Sequence, residues 1–190
     1  MPRNMPALII GLVGLQGCGK GTVAKHLEER FGAKTFRYSA ILKEMLERLA
    51  LENRRDSLTT LSTALREAFG EDALSYAIAR DAIRSDAPIA VVDGIRRIED
   101  ISGLEALPQF HLVEIVSDAK TRFERLRGRT EKIDEVGMTW EGFLAGEDNP
   151  TEQTIPQVAS RAEVRIANDG SLEDLQARID DVVHRLKVAS

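Results

Sequence analysis

Apolar residues along this chain follow two rhythms. Short unbroken runs occur at 7–13 (ALIIGLV), 88–94 (PIAVVDG) and 110–117 (FHLVEIVS). Runs this short and uniformly apolar suit strands buried on both faces of a parallel sheet. Weaker runs at 33–39 (AKTFRYS) and 162–168 (AEVRIAN) bring the strand count to about five. Between them, apolar residues recur at the helical period of three to four. The stripes are Val23, Leu27 and Phe31; Ile41, Leu42, Met45, Leu46 and Leu49; Leu58, Leu61, Leu65 and Phe69; and Ala73, Leu74, Ile78 and Ile83. Two more helices are predicted at 118–128 and 171–187, the second capped by Ser171 with Asp174 three residues on. Strands alternating with helices predict a three-layer α/β/α domain with a mainly parallel sheet. The segment 129–151 is polar, glycine-bearing and aperiodic at its start, which marks it as a candidate mobile flap.

Composition narrows the class. A chain of 190 residues suits one compact domain with a small lid. Its net charge of −5 argues against a general nucleic-acid binder, which needs a basic surface. The single cysteine, Cys18, makes an internal disulfide and a four-cysteine zinc site impossible and suits a reducing, cytoplasmic setting. No apolar stretch approaches the ~20 residues needed to cross a bilayer. The N-terminal MPRNMPALIIGLVG lacks a signal-peptide cleavage pattern.

The chemistry concentrates first in GLVGLQGCGKGT, residues 11–22. A buried strand runs into a glycine turn, and a helix is predicted to open near Gly19. Gly14, Gly17, Gly19 and Gly21 leave the backbone unobstructed, so its N–H groups can surround phosphate oxygens. The helix start adds its positive end. Lys20 supplies a point charge for β- and γ-phosphates. The usual phosphate loop places Ser or Thr directly after the lysine; here Gly21 stands there and Thr22 follows. Cys18 reads as a small filler within the loop, or as a thiol activated by the helix end. At the end of the 88–94 run, Asp93 sits where parallel sheets bind ligands and where an aspartate can hold waters around Mg²⁺.

The run G-x-x-G-x-G-K-G-T resembles the loop of adenylate kinases and other nucleoside monophosphate kinases, in which glycine follows the lysine. The resemblance implies ATP as donor, magnesium held by nucleotide oxygens and waters with Asp93, and Thr22 near phosphate. VVDGIRR resembles the adenylate kinase D-G-F-P-R segment, with Arg97 matching the arginine that grips the acceptor phosphate. Ile101 falls where those enzymes read the acceptor's adenine, which speaks against AMP. The D-G-I-R form is similar to a group of adenylate-kinase-related and dephospho-CoA-kinase-like P-loop kinases. FRYSAILKEML resembles T-G-D-M-L-R, placing Ser39 and Lys43 at the acceptor and Ala40 where an aspartate is usual. The acceptor-binding helical segment is thus expected over about 39–86.

RLRGR, 125–129, resembles the adenylate kinase lid start. The resemblance implies that Arg125 packs on the ATP base and Arg129 reaches its phosphates, with a short lid over about 125–151. Arg122, Arg125 and Arg129 share a helical face by spacing. AEVRIANDGSLEDL resembles the C-terminal segment of dephospho-CoA kinases, implying Asn168 near the adenine. Arg54, Arg55 and Arg66 either line an anion pocket or pair with neighbouring carboxylates. His26, His111 and His184 have no metal-ligand spacing, and Trp140 and Phe143 read as anchors of the flap. The expectation is therefore ATP- and Mg²⁺-dependent phosphoryl transfer to a small nucleotide acceptor. The alternatives are transfer to a ribose hydroxyl, or an ATP-binding assembly factor on a kinase scaffold. Neither a nucleic-acid nor a membrane partner is expected.

Overall fold

The computed structural model describes residues 5–128 and 138–189. Five strands form one sheet: β1 (Leu8–Val13), β2 (Lys34–Arg37), β3 (Ile89–Asp93), β4 (Phe110–Val116) and β5 (Val164–Ala167). Every pairing is parallel, in the order β2-β3-β1-β4-β5. All six residues of β1 are buried, as a central strand covered on both faces requires.

Strand side chains alternate between two helical layers. Ile9 and Val13 of β1, Ala90 and Val92 of β3, and Phe110 and Leu112 of β4 face one core. That core is closed by α2 (Tyr38–Arg48), α3 (Arg55–Phe69), α4 (Ala73–Ile83), the short α5 (Ser102–Glu105) and α9 (Ile155–Ala159). Leu8, Ile10 and Leu12, with Ile89, Val91, Val113 and Ile115, face the other core. It is covered by α1 (Lys20–Phe31) and α10 (Leu172–Ala189) through Val23, Leu27, Leu175, Ile179 and Val183. The layered, parallel α/β fold class expected from the sequence is the one observed.

The remaining elements are a 3₁₀ turn at Ile98–Ile101, α6 (Ala119–Arg127), α7 (Trp140–Glu147) and α8 (Pro150–Gln153). The last helix starts as expected: Ser171 Oγ accepts the Asp174 N–H at 3.1 Å, and the Asp174 carboxylate accepts the Ser171 N–H at 3.2 Å. Among the described residues no helix is long and apolar enough to cross a membrane. The chain order reverses around β1, so the β1–α1 turn opens at the carboxyl edge beside β3 and β4. Ligands of open parallel sheets lie at such a point.

Candidate functional site

The turn between β1 and α1 is built by glycines at positive φ. Gly14 has φ 148°, and a Cβ there would overlap the Ile115 carbonyl oxygen of β4. Gly19, the residue before α1, has φ 106°, and a Cβ there would overlap the Asn168 amide nitrogen. Gly17 is likewise left-handed, at φ 82°. Gly21 differs: it lies in the first helical turn, exposed, with nothing within 4 Å of an added Cβ. Val23 N–H donates to Gly19 O at 3.1 Å. The amides of Lys20, Gly21 and Thr22 ahead of it are the helix-end donors that lack intrahelical acceptors. Lys20 folds back over the turn, its Nζ 2.5 Å from Gly14 O, 3.2 Å from Leu15 O and 3.7 Å from Cys18 Sγ. Cys18 is 1% exposed and packs in the apolar cluster with Val23 and Leu27, as the filler reading expects. Thr22 is exposed on the same first turn. Amide donors, a helix N-terminus and an ammonium group are therefore gathered at one turn, the set of groups that binds anions.

Asp93 ends β3 in register with Leu12 of β1 and Arg37 of β2. Leu12 lies two residues before Gly14, so the end of β3 stands level with the end of β1. Arg37 Nε donates to Asp93 Oδ2 at 3.3 Å. Beyond Asp93 the chain turns through Gly94, at φ 93°. The Asp100 side chain holds that turn by accepting the N–H groups of Arg96 at 2.8 Å and Arg97 at 3.0 Å. Asp100 is 3% exposed and accepts Arg66 Nη2 at 2.7 Å. Its backbone oxygen accepts the hydroxyls of Tyr38 and Ser75. Burial, reinforced by the Asp100 carboxylate, pushes the Tyr38 hydroxyl's pKa well above the ordinary phenol range. Arg66 is thus a buried ion-pair partner and not part of an open anion pocket. Arg54 pairs with Glu52 at the exposed approach to α3. Arg97 is half-buried and donates to Glu71 at 3.3 Å. Ser39 and Lys43 are both exposed on α2, one helical turn apart, along the edge of the stripe that buries Leu42 and Leu46.

The other rim joins α6 to the end of β5. Arg125 Nη2 donates to Asn168 O at 2.9 Å, and its Nη1 reaches Ser117 Oγ at 3.3 Å. Asn168 is 6% exposed, and its side-chain amide donates to Cys18 O at 2.8 Å. That amide clips the glycine turn to β5. Asp118 caps α6 by accepting Thr121 N–H at 2.9 Å. Hydrogen bonds from Thr121 hold the Asp118 carboxyl below the usual carboxylate range.

Arg122 does not share an open face with Arg125. It is buried, pairs with Glu147 of α7, and lies 5.3 Å over the Phe143 ring. Trp140 and Phe143 stack at 5.3 Å, and Phe123 of α6 meets Trp140 edge-on at 5.3 Å, as anchoring aromatics do. Arg129 lies outside the described residues, as do residues 130–137 of the expected lid. The chain's return is clasped to the turn after β3. Arg96 Nη1 donates to the buried Glu152 at 2.5 Å, and Thr154 Oγ1 donates to Arg96 O at 2.8 Å.

Among the described residues no group of three or more His, Cys, Asp or Glu side chains is arranged to hold a metal. His26 pairs with Asp180 and His111 with Glu163. One carboxylate, Asp93, at the same sheet edge as the glycine turn does fit magnesium carried by phosphate oxygens and waters, which needs few protein ligands.

Three residues of this site escaped the sequence reading. Arg37 carried one signal: a charge ending a strand at the same sheet edge as Asp93. Asp100 and Glu152 carried none, because each gains its meaning from partners far along the chain.

A family model described as an AAA domain matches residues 13–138, more than half of the chain. A UPF0200 protein of Methanoregula boonei is 29% identical over 181 residues, covering 94% of this chain and 97% of that relative. The structure of TT1252 from Thermus thermophilus superposes with a TM-score of 0.63 at 23% identity, covering 96% and 99% of the two chains. Shikimate kinase from Bacteroides thetaiotaomicron superposes at 0.62 with 12% identity, covering 93% and 98%. At these identities the two structures speak for the fold alone.

Proposed function

The chain belongs to the AAA domain family and has a P-loop kinase fold, and from that premise we propose that it transfers the γ-phosphoryl group of ATP to a small nucleotide, a nucleoside or deoxynucleoside monophosphate. The observation that carries this reading is the convergence of Lys20, the glycine-turn amides and Asp93 at the carboxyl edge of β1 and β3. Gly14, Gly17, Cys18, Gly19, Gly21 and Thr22 line the donor phosphates, and Lys20 swings from its carbonyl partners onto the β/γ end. Magnesium, when bound, neutralises charge between those phosphates; Asp93 orients its waters, and Thr22 lies close by. Arg125 packs against the base, with Asn168 fixing the turn beneath it. Arg129, from the lid at about 125–151, supplies positive charge to the transferring group and excludes water. Arg97, Lys43 and Ser39 receive the acceptor, with the helical segment 39–86 forming its side of the cleft.

A phosphate acceptor already carries an anionic oxygen. A hydroxyl acceptor, as in dephospho-CoA kinase-type transfer, benefits from a general base. The end of β2 offers Arg37, Ser39 and Ala40 in place of a carboxylate, and Asp93 is engaged by Arg37. This favours the phosphate acceptor. The buried lone cysteine and the net charge of −5 fit a cytoplasmic enzyme without a nucleic-acid partner.

The test is to incubate the protein with MgATP and a panel of nucleoside monophosphates, deoxynucleoside monophosphates and dephospho-CoA, then resolve the phosphorylated product. One monophosphate class is expected to be converted, and Lys20→Ala is expected to lower turnover by about a hundredfold or more with an unchanged circular-dichroism spectrum. Undiminished turnover in Lys20→Ala rules out the assignment. Slow ATP hydrolysis with no acceptor converted supports the assembly-factor alternative.

A further inference from the structure

Arg37 and Asp93 are the last residues of adjacent parallel strands and stand in register. Their side chains meet at 3.3 Å, with Asp93 17% exposed and Arg37 51% exposed. The carboxylate is therefore the fixed member and the guanidinium the movable one. Asp93 is in register with Leu12 on its other side, so the residue whose carboxylate Arg37 neutralises stands in the strand next to the one that leads into the glycine turn. At the same rim Arg97 is held by Glu71 at 3.3 Å. Two arginines, Arg37 at the end of β2 and Arg97 after β3, are thus each parked on a carboxylate.

Resting on the kinase reading, we infer that Arg37 is a movable counterion that couples the two halves of the site. Arg37 covers Asp93 until a cation's hydration shell takes the carboxylate, and the released guanidinium then grips the acceptor's anionic group. A planar guanidinium donates two parallel hydrogen bonds to a phosphate, which a single 3.3 Å contact to Asp93 does not match. The linkage is reciprocal: a cation on the donor phosphates strengthens acceptor-anion binding, and the anion strengthens cation binding by the same factor. Arg37 acts here as an acceptor-binding residue, outside the bond-making and bond-breaking of phosphoryl transfer.

The experiment saturates the glycine turn with a non-hydrolysable ATP analogue, so that inorganic phosphate, the probe anion, is left only the acceptor rim. Phosphate is titrated calorimetrically with and without MgCl₂ at constant ionic strength, in wild type, Arg37→Ala, Arg37→Lys and Asp93→Asn. The gain in phosphate affinity on adding magnesium is expected to be roughly two- to fivefold larger in wild type than in Arg37→Ala. Direct attraction between the ions is common to both proteins and cancels in that comparison. Arg37→Lys is expected to recover part of the gain. Asp93→Asn is expected to bind phosphate more tightly than wild type without magnesium. An equal magnesium gain in wild type and Arg37→Ala overturns the coupling, and so does an absence of phosphate binding. Failure of the analogue itself to bind removes the kinase reading and this inference together, whereas analogue binding with no Arg37-dependent gain removes the inference alone.

Discussion

Gly19 and Gly21 lie two positions apart and answer to different constraints. Gly19 must hold φ 106° against the Asn168 amide, so Gly19→Ala forces both backbone strain and loss of the clip between the turn and β5. Gly21 lies in a helical turn with open space around it. Gly21→Ala is therefore expected to raise stability by about 0.5–1 kcal/mol through helix propensity, and Gly19→Ala to lower it by about 1–3 kcal/mol. Urea denaturation of the two variants checks both signs. If Gly21→Ala also weakens ATP binding, the open space above it belongs to the nucleotide. The places of Lys20 and Asp93 were legible from the chain because they are set locally: a lysine after a glycine turn, a carboxylate ending an apolar run. Arg37 was not, because a strand's neighbour across the sheet leaves no trace in its own sequence. Asn168 reads from the sequence as part of a turn near the adenine, acting mostly through its backbone; what the sequence does not signal is its side chain, which holds the glycine turn at Cys18 O.

The turn after β3 owes its shape to elements brought from both directions along the chain. Asp100 holds the Arg96 and Arg97 amides, Arg66 arrives from α3, and Tyr38 and Ser75 arrive from α2 and α4. Asp100→Ala leaves the Arg66 guanidinium buried without its carboxylate and frees two amides. Its expected cost is about 3–5 kcal/mol, read as a lowered urea midpoint with unchanged slope. The double variant Arg66→Met/Asp100→Ala is expected to recover only part of this, because the two amides remain unpaired. Helix α7 and the start of α8 fall inside 129–151, which the sequence presents as a flap aperiodic at its start. Their start signals exist: Thr139 caps α7 by accepting Gly142 N–H at 3.1 Å, and Asn149 precedes Pro150 at the head of α8. Helices this short are marginal alone. What holds them is tertiary: Phe143 against Phe123, Glu147 on Arg122, and Glu152 on Arg96. The long stripes of α1, α2, α3, α4 and α10 needed no such help to be read, since each carries several turns of apolar period.

At the scale of the molecule, the two cores share one sheet, and the proposed donor site crosses their boundary at the β1–α1 turn. A ligand gripped there by β1, α1 and the β5 end ties the sheet to the helical layer of α1 and α10. Saturation with MgATP at about a hundred times its dissociation constant is expected to add about 2.7 kcal/mol of stability, a melting-temperature rise of about 5–11 °C for a domain of this size. Scanning fluorimetry checks the shift, and Lys20→Ala should largely abolish it. The sequence by itself determined the alternation of buried strands and amphipathic helices, the glycine turn with its lysine, and the acidic end of β3. Those features are encoded within single elements by period, spacing and residue type. Only the tertiary structure decided that Arg37 sits on Asp93, that Asp100 and Arg66 build the turn presenting Arg97, and that Asn168 clips the glycine turn. Each of these pairs joins residues separated by 34 to 150 positions, and such partners are chosen by strand order and helix packing, which no local pattern specifies.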